Sequence, residues 1–293
     1  MNYGVMSRTA ASLSARDQAI LRRLAEHRYL TSRQIERFFF TRHHSPASAA
    51  RSCRRVLARL YEQHLVTRLS VRAIGGWAAG STGYTYRLAR SGYEALTLRP
   101  TSTVIRSPLF LEHTLAIADV RLALEQLARA QRLQLVDVNT EPNNWVHYGS
   151  FGGREVLKPD LFVVTATSPE SDYEDTWFIE LDRATSSLNA VLQKCRQYIS
   201  YRLSSEARAR PGGFPIVVWL VPTRRRQREV QQITRTLPLS QRDIFRVVLR
   251  RQFAAYLCAY YSLGQVALQA SNHPSIDSNG TSTFPLGKIK VAA

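Results

Sequence analysis

Three apolar segments constrain the fold more than anything else in the chain: Leu161-Phe162-Val163-Val164, Trp177-Phe178-Ile179-Glu180-Leu181 and Ile216-Val217-Val218-Trp219-Leu220-Val221. Each has strand length and strand composition but lacks the strict apolar-polar alternation of a sheet with one wet face. The sheet they build must be covered on both sides. Two of them carry acids at their ends, since Lys158-Pro159-Asp160 enters the first and Glu180-Leu181-Asp182-Arg183 closes the second. Side chains alternate along a strand, so Glu180 and Asp182 share a face, and Asp160 joins them if the two strands pair near these ends. Clustered carboxylates suit Mg²⁺ or Mn²⁺, hard ions that keep waters and accept phosphate oxygens. An ion held by Asp160 and Glu180 polarises a phosphate and lowers the pKa of an attacking water.

Covering elements are found on either side of these runs. An amphipathic helix is expected from Glu112 to about Arg129, then strands at 133–140, 160–166 and 176–182, a helix at 186–204, a strand at 215–221, a helix at 223–236 and a strand at 244–250. The order is αβββαβαβ, a mixed α/β region. Residues 252–263 predict one more helix, with Phe253, Tyr256, Leu257, Tyr260 and Tyr261 as its apolar stripe, and the Ser-, Asn- and Gly-rich stretch beyond it predicts a flexible tail over 264–293.

The first hundred residues read differently. Ser14 with Asp17, and Thr31 with Gln34, are capping boxes that open two helices, and Ser45-Pro46 opens a third running to about Glu62. Ala49, Cys53, Val56, Leu57 and Leu60 form the apolar stripe of that third helix, while Arg51, Arg55 and Arg59 recur every four residues on its other side. Residues 65–73 and 84–88 then read as a hairpin. Expected boundaries are a domain over 1–98, a connector over 99–111 and a second domain over 112–263.

Charge says what such a chain meets. Residues 1–100 hold 17 arginines and no lysine against five acidic residues, so this third carries +12 of the total +18. That field attracts polyanions, nucleic acid first. Cys53, Cys195 and Cys258 are odd in number and far apart, which suggests neither a disulfide framework nor a zinc site and fits a reducing cytoplasm. The longest apolar run, Phe214 to Val221, is too short to span a bilayer, so no membrane role is expected.

Three helices and a hairpin over roughly residues 12–98 resemble the winged helix-turn-helix family. The resemblance implies that the third helix enters the major groove, with Arg51, Arg55 and Arg59 facing DNA and Arg68 and Arg72 on the wing. Residues 112–250 resemble the PD-(D/E)XK nuclease superfamily through Pro159-Asp160 and Glu180-Leu181-Asp182 in an αβββαβ order. They depart from it where Asp182 stands in place of the lysine, and Lys194 on the next helix, or less directly Lys158, can substitute for a lysine that migrates in this superfamily. Glu141, Glu112 and His113 are further ligand candidates, each more in keeping with a surface or packing role. Joined to the winged helix, Glu180-Leu181-Asp182-Arg183-Ala184-Thr185 with Lys194, Tyr198 and Tyr201 resembles the replication-relaxation family of actinobacterial plasmids and integrative elements.

These resemblances imply a DNA-binding protein of a mobile element that acts in replication, DNA processing or transfer, cutting or nicking with Mg²⁺ or Mn²⁺ through Asp160, Glu180, Asp182 and Lys194. Other plasmid replication or transfer proteins are the implied partners, and a homodimer would suit palindromic sites. The rival is a non-catalytic DNA-binding factor that keeps the nuclease-like fold as a scaffold. Tyr198 and Tyr201 are one helical turn apart and read as packing residues, and the chain has no Gly-x-x-x-x-Gly-Lys-Ser/Thr phosphate loop.

Overall fold

A computed structural model describes residues 13–69, 83–100, 107–150, 152–210, 213–270 and 288–290. Within it the chain divides into two compact units, residues 1–122 and 123–293. The helix expected to open the second region, Pro108–Arg129, therefore contributes its residues up to Leu122 to the first unit.

The first unit is built from α1 (Ala15–His27), β1 (Leu30–Thr31), α2 (Ser32–Phe39), α3 (Pro46–Glu62), β2 (Val66–Arg68), β3 (Thr85–Leu88), the short α4 (Arg90–Ala95) and the first part of α5 (Pro108–Arg129). All three expected capping signals are made: Ser14 with Asp17, Thr31 with Gln34, and Ser45 with Ser48 behind Pro46. The strands order as β1-β3-β2, antiparallel throughout. Ile20, Leu21, Leu24, Ile35, Phe38, Cys53, Leu57, Leu60, Tyr86 and Leu88 bury together with Ala118 and Leu122 of α5. Gln34, itself buried, ties α2 to α5 by donating to Leu115 O at 2.7 Å and Asp119 Oδ1 at 2.8 Å. Most of the expected hairpin, residues 70–82, lies outside the described residues, and β1 and α4 were not expected.

The second unit holds a sheet of order β10-β9-β8-β7-β4, from β4 (Gln134–Thr140), β7 (Leu161–Ala166), β8 (Tyr173–Leu181), β9 (Ile216–Val221) and β10 (Phe245–Leu249). β8, β9 and β10 are parallel, while β7 runs antiparallel to β8 and β4 antiparallel to β7. Both faces are covered, as the apolar runs require. On one face α6 (Leu188–Leu203) and α8 (Arg224–Arg235) bury Phe178, Val217, Trp219 and Val221 against Cys195, Tyr198 and Val230. On the other, α10 (Phe253–Ala270) meets β7 and β8: Trp177 Nε1 donates to Thr165 Oγ1 at 2.7 Å, Thr165 bonds the Tyr261 hydroxyl at 2.5 Å, and Tyr260 donates to buried Asp175 at 2.9 Å.

The remaining pieces are the small helices α7 (Ser205–Arg208) and α9 (Leu239–Arg242), the turn Arg250–Gln252, and β11 (Lys288–Lys290) against the start of β8. The sequence also missed a hairpin between β4 and β7, β5 (Val146–Ser150) with β6 (Gly153–Leu157). The architecture is mixed α/β. The helix α10 continues through Ala270, past the expected start of a tail, and most of that tail lies outside the described residues. No helix among the described residues is long and apolar enough to cross a membrane.

Candidate functional site

Antiparallel pairing of β7 with β8 sets Leu161 opposite Ile179. One residue further in this register Asp160 faces Glu180, and Asp160 Oδ2 accepts the Leu181 amide at 2.7 Å. The α6 helix crosses above with Lys194 and Tyr198 one turn apart. Both reach the same oxygen: Tyr198 donates to Glu180 Oε1 at 2.6 Å, and Lys194 Nζ lies 3.3 Å from it. Lys194 also donates to Lys158 O at 2.7 Å, and Asn144 Nδ2 donates to Pro159 O at 2.6 Å, so both carbonyls preceding Asp160 are held.

Glu180 is only 6% exposed. Burial pushes its carboxyl up to about 7; the Lys194 ammonium pulls it down and the Asp160 charge pushes it up again. Burial, and then the Glu180 charge, hold the Tyr198 phenol well above its ordinary value, which keeps it a hydrogen-bond donor. A carboxyl poised near neutrality beside a lysine and a second acid is the kind of arrangement that marks chemically active sites. Reading Tyr198 as a packing residue missed its hydroxyl; the one-turn spacing to Lys194 was the available signal.

Asp182 takes a different partner. It does follow Glu180 onto the helix-covered face, but there it lies under α8: Arg226 Nε donates to Asp182 Oδ2, its Nη2 approaches Oδ1 at 3.4 Å, and Nη2 also donates to Ser186 O at 2.7 Å. The side chains of this pair are 2% and 7% exposed. The expected three-acid cluster is therefore a pair, Asp160 and Glu180, beside a separate ion pair. Lys158 turns its ammonium to within 4.1 Å of the Trp145 ring, and Lys194 occupies the position by Glu180. Glu141 follows Thr140, the last residue of β4, which pairs with Leu161 next to Asp160, whereas Glu112 and His113 belong to the first unit. Tyr201 packs on Tyr148, Phe178 and Phe214.

Among the described residues no group of three or more His, Cys, Asp and Glu is placed to hold a metal on its own. Two hard carboxylates still fit an ion of the Mg²⁺ kind, which keeps most of its waters and shares a substrate phosphate. The donor chemistry fits that ion, not a closed protein cage.

In the first unit the predicted arginine ridge divides. Arg51 and Arg55 are exposed and make no ion pair among the described residues; Arg54, which the every-fourth-residue spacing overlooked, is exposed too. Arg59 instead reaches α1, where its Nη2 lies 2.6 Å from Oδ1 of buried Asp17. Arg68 is half-buried among Tyr61 and Tyr84, 4.2 and 4.8 Å from their ring centres. Arg72 lies outside the described residues. Arg59→Ala leaves buried Asp17 with, among the described residues, only its cap bonds to Ser14, and is expected to cost about 1–3 kcal/mol in urea unfolding. A loss below about 0.3 kcal/mol would return Arg59 to the exposed ridge.

A family model described as replication-relaxation matches residues 21–217, about two thirds of the chain. No curated protein and no solved structure matches it.

Proposed function

The chain belongs to the replication-relaxation family, and from that premise we propose that it is a DNA-binding protein of a plasmid or integrative element. Its role is in replication, processing or transfer of the element's DNA, by cleavage or nicking that depends on a divalent metal. A winged helix in the first unit locates the site, and a PD-(D/E)XK-like second unit acts on it.

The carrying observation is the convergence of Asp160, Glu180 and Lys194 at paired strand ends, with the lysine arriving from the helix after the acid strand. Asp160 and Glu180 hold Mg²⁺ or Mn²⁺, which when bound polarises the scissile phosphate and activates water. Lys194 balances the buried Glu180 charge and offers a positive group beside the phosphate. Tyr198 fixes the Glu180 rotamer through Oε1, leaving Oε2 for the ion.

In the assay, supercoiled plasmid bearing the element's own origin or transfer region is incubated with protein and Mg²⁺ or Mn²⁺. Open-circular product that EDTA abolishes is expected. Burial of Glu180 and the double engagement of Oε1 favour the rival, a non-catalytic DNA-binding scaffold. Metal-independent binding with no cleavage of any such DNA would establish that rival.

Recognition by α3 has its own test. Arg51→Ala/Arg55→Ala is expected to weaken binding across sequences and to lower the slope of log K against log salt by about 2, near one unit per lost phosphate contact. An unchanged slope would leave these arginines as a solvated face.

A further inference from the structure

The strand directions bring several basic residues of the second unit to one edge of its sheet. β8, β9 and β10 are parallel neighbours, so their C-terminal ends lie side by side, about 10 Å across from first to third. Each strand leads into arginine at that edge: Arg183 after β8, Arg224, Arg225 and Arg226 after β9, Arg250 and Arg251 after β10. Because β7 is antiparallel to β8, its entry, with Asp160, opens onto the same edge beside Glu180. The other end of β8 is mixed in charge, with exposed Glu170 and Asp172 preceding it and Lys288 and Lys290 of β11 paired along its start.

These arginines have distinct fates. Arg226 turns inward to Asp182 and anchors α8 to the strand end. Arg225 pairs with Glu229 at 2.9 Å. Arg224, Arg228 one turn further along α8, and Arg251 are exposed, and among the described residues their guanidinium groups have no ion pair or hydrogen-bonded partner. Three exposed arginines without a partner among the described residues, carried by the elements that follow the strand ends next to β8, suit an anionic polymer, because a guanidinium binds phosphate bidentately and a row of them follows a backbone.

We propose that this edge is a second nucleic-acid surface, on which phosphates of a DNA strand lie across the ends of β8, β9 and β10, held by Arg224, Arg228 and Arg251, and lead into the Asp160–Glu180 site. The inference rests on the reading of DNA as substrate and adds where in the second unit it lies. The contacts are to backbone, so this surface adds affinity and placement without reading sequence.

Anisotropy titrations of a labelled duplex from the element's origin, at several salt concentrations and without metal, test it. The full-length Asp160→Ala protein is compared with the same protein carrying Arg224→Ala, Arg228→Ala and Arg251→Ala. The triple change is expected to lower the salt slope by about 2 to 3, at some 0.9 per phosphate. In the protein that retains Asp160 it is expected to slow plasmid nicking at subsaturating DNA, with the melting temperature unmoved. An unchanged slope, in a protein whose binding still falls on Arg51→Ala/Arg55→Ala, overturns the edge surface and leaves the DNA reading standing. A parent protein that binds no DNA at all overturns both.

Discussion

Asp182→Ala is expected to destabilise the protein by about 3–5 kcal/mol, the largest stability loss of any substitution considered, because it strands the Arg226 guanidinium in the interior. Arg226 is 6% exposed, and its other bonds, to Ser186 O and more distantly to Glu229, leave its charge only partly balanced once Asp182 is gone. The hydrogen bond that Arg226 donates to Asp182 also holds its guanidinium above its ordinary pKa, so at neutral pH the residue stays charged. Replacing both partners with apolar residues of similar volume, Asp182→Leu/Arg226→Met, is expected to recover most of the loss, since desolvation is then no longer imposed on either. Urea unfolding of the single and double variants gives the coupling energy. A metal ligand behaves otherwise: Asp182→Ala would then leave apo stability nearly intact, Arg226→Met would not interact with it, and nicking alone would suffer. That pattern would return Asp182 to the catalytic group.

This ion pair also shows where sequence reading stops. Alternation placed Asp182 on the face of Glu180, and the structure has it there, but alternation does not name the helix that covers a given strand end. Arg226 lies 44 residues away in a run of three arginines of which two are exposed, and only the path of α8 selects it. The same limit holds at Arg59, where four-residue spacing gave a helical face correctly but not the reach to Asp17 on another helix. What was legible followed from local chemistry. Capping boxes start their helices because the cap bonds lie within four residues, and runs such as Ile216 to Val221 announce a doubly covered sheet because no polar residue interrupts them. β5 and β6 escaped because His147, Gly149, Gly153 and Arg154 are exposed in a two-stranded hairpin that carries little apolar signal. Lys194 was legible as a candidate from its place on the following helix, and the fold adds that Tyr198, one turn on, shares its target oxygen.

Glu180 supplies the second large effect, through both pH and activity. Its carboxyl is raised from 4.5 to about 7 in the folded protein, chiefly by burial. Below 4.5 both folded and unfolded chains carry the proton and the contribution to stability is complete. As pH rises toward 7 the unfolded chain releases the proton while the folded one retains it, so stability falls, by on the order of 3 kcal/mol across the window. Glu180→Gln keeps the shape and an acceptor for Tyr198 but cannot titrate, so its unfolding free energy is expected to lose this slope between pH 5 and 7. Nicking by the same variant is expected to fall roughly 10²–10³-fold, as for loss of one preorganised electrostatic group. Lys194→Met is the complement: with the ammonium gone, only the Tyr198 hydrogen bond still opposes burial and Asp160 at Glu180, and its pKa rises further. Since metal holding needs the ionised carboxylate, the acid limb of the nicking profile at subsaturating metal is expected to move to higher pH than in the parent. Lys194→Arg preserves the charge and is expected to leave the limb near its original place. A limb that stays put in Lys194→Met, with a rate within twofold of the parent, would remove Lys194 and the Glu180 titration from the chemistry together.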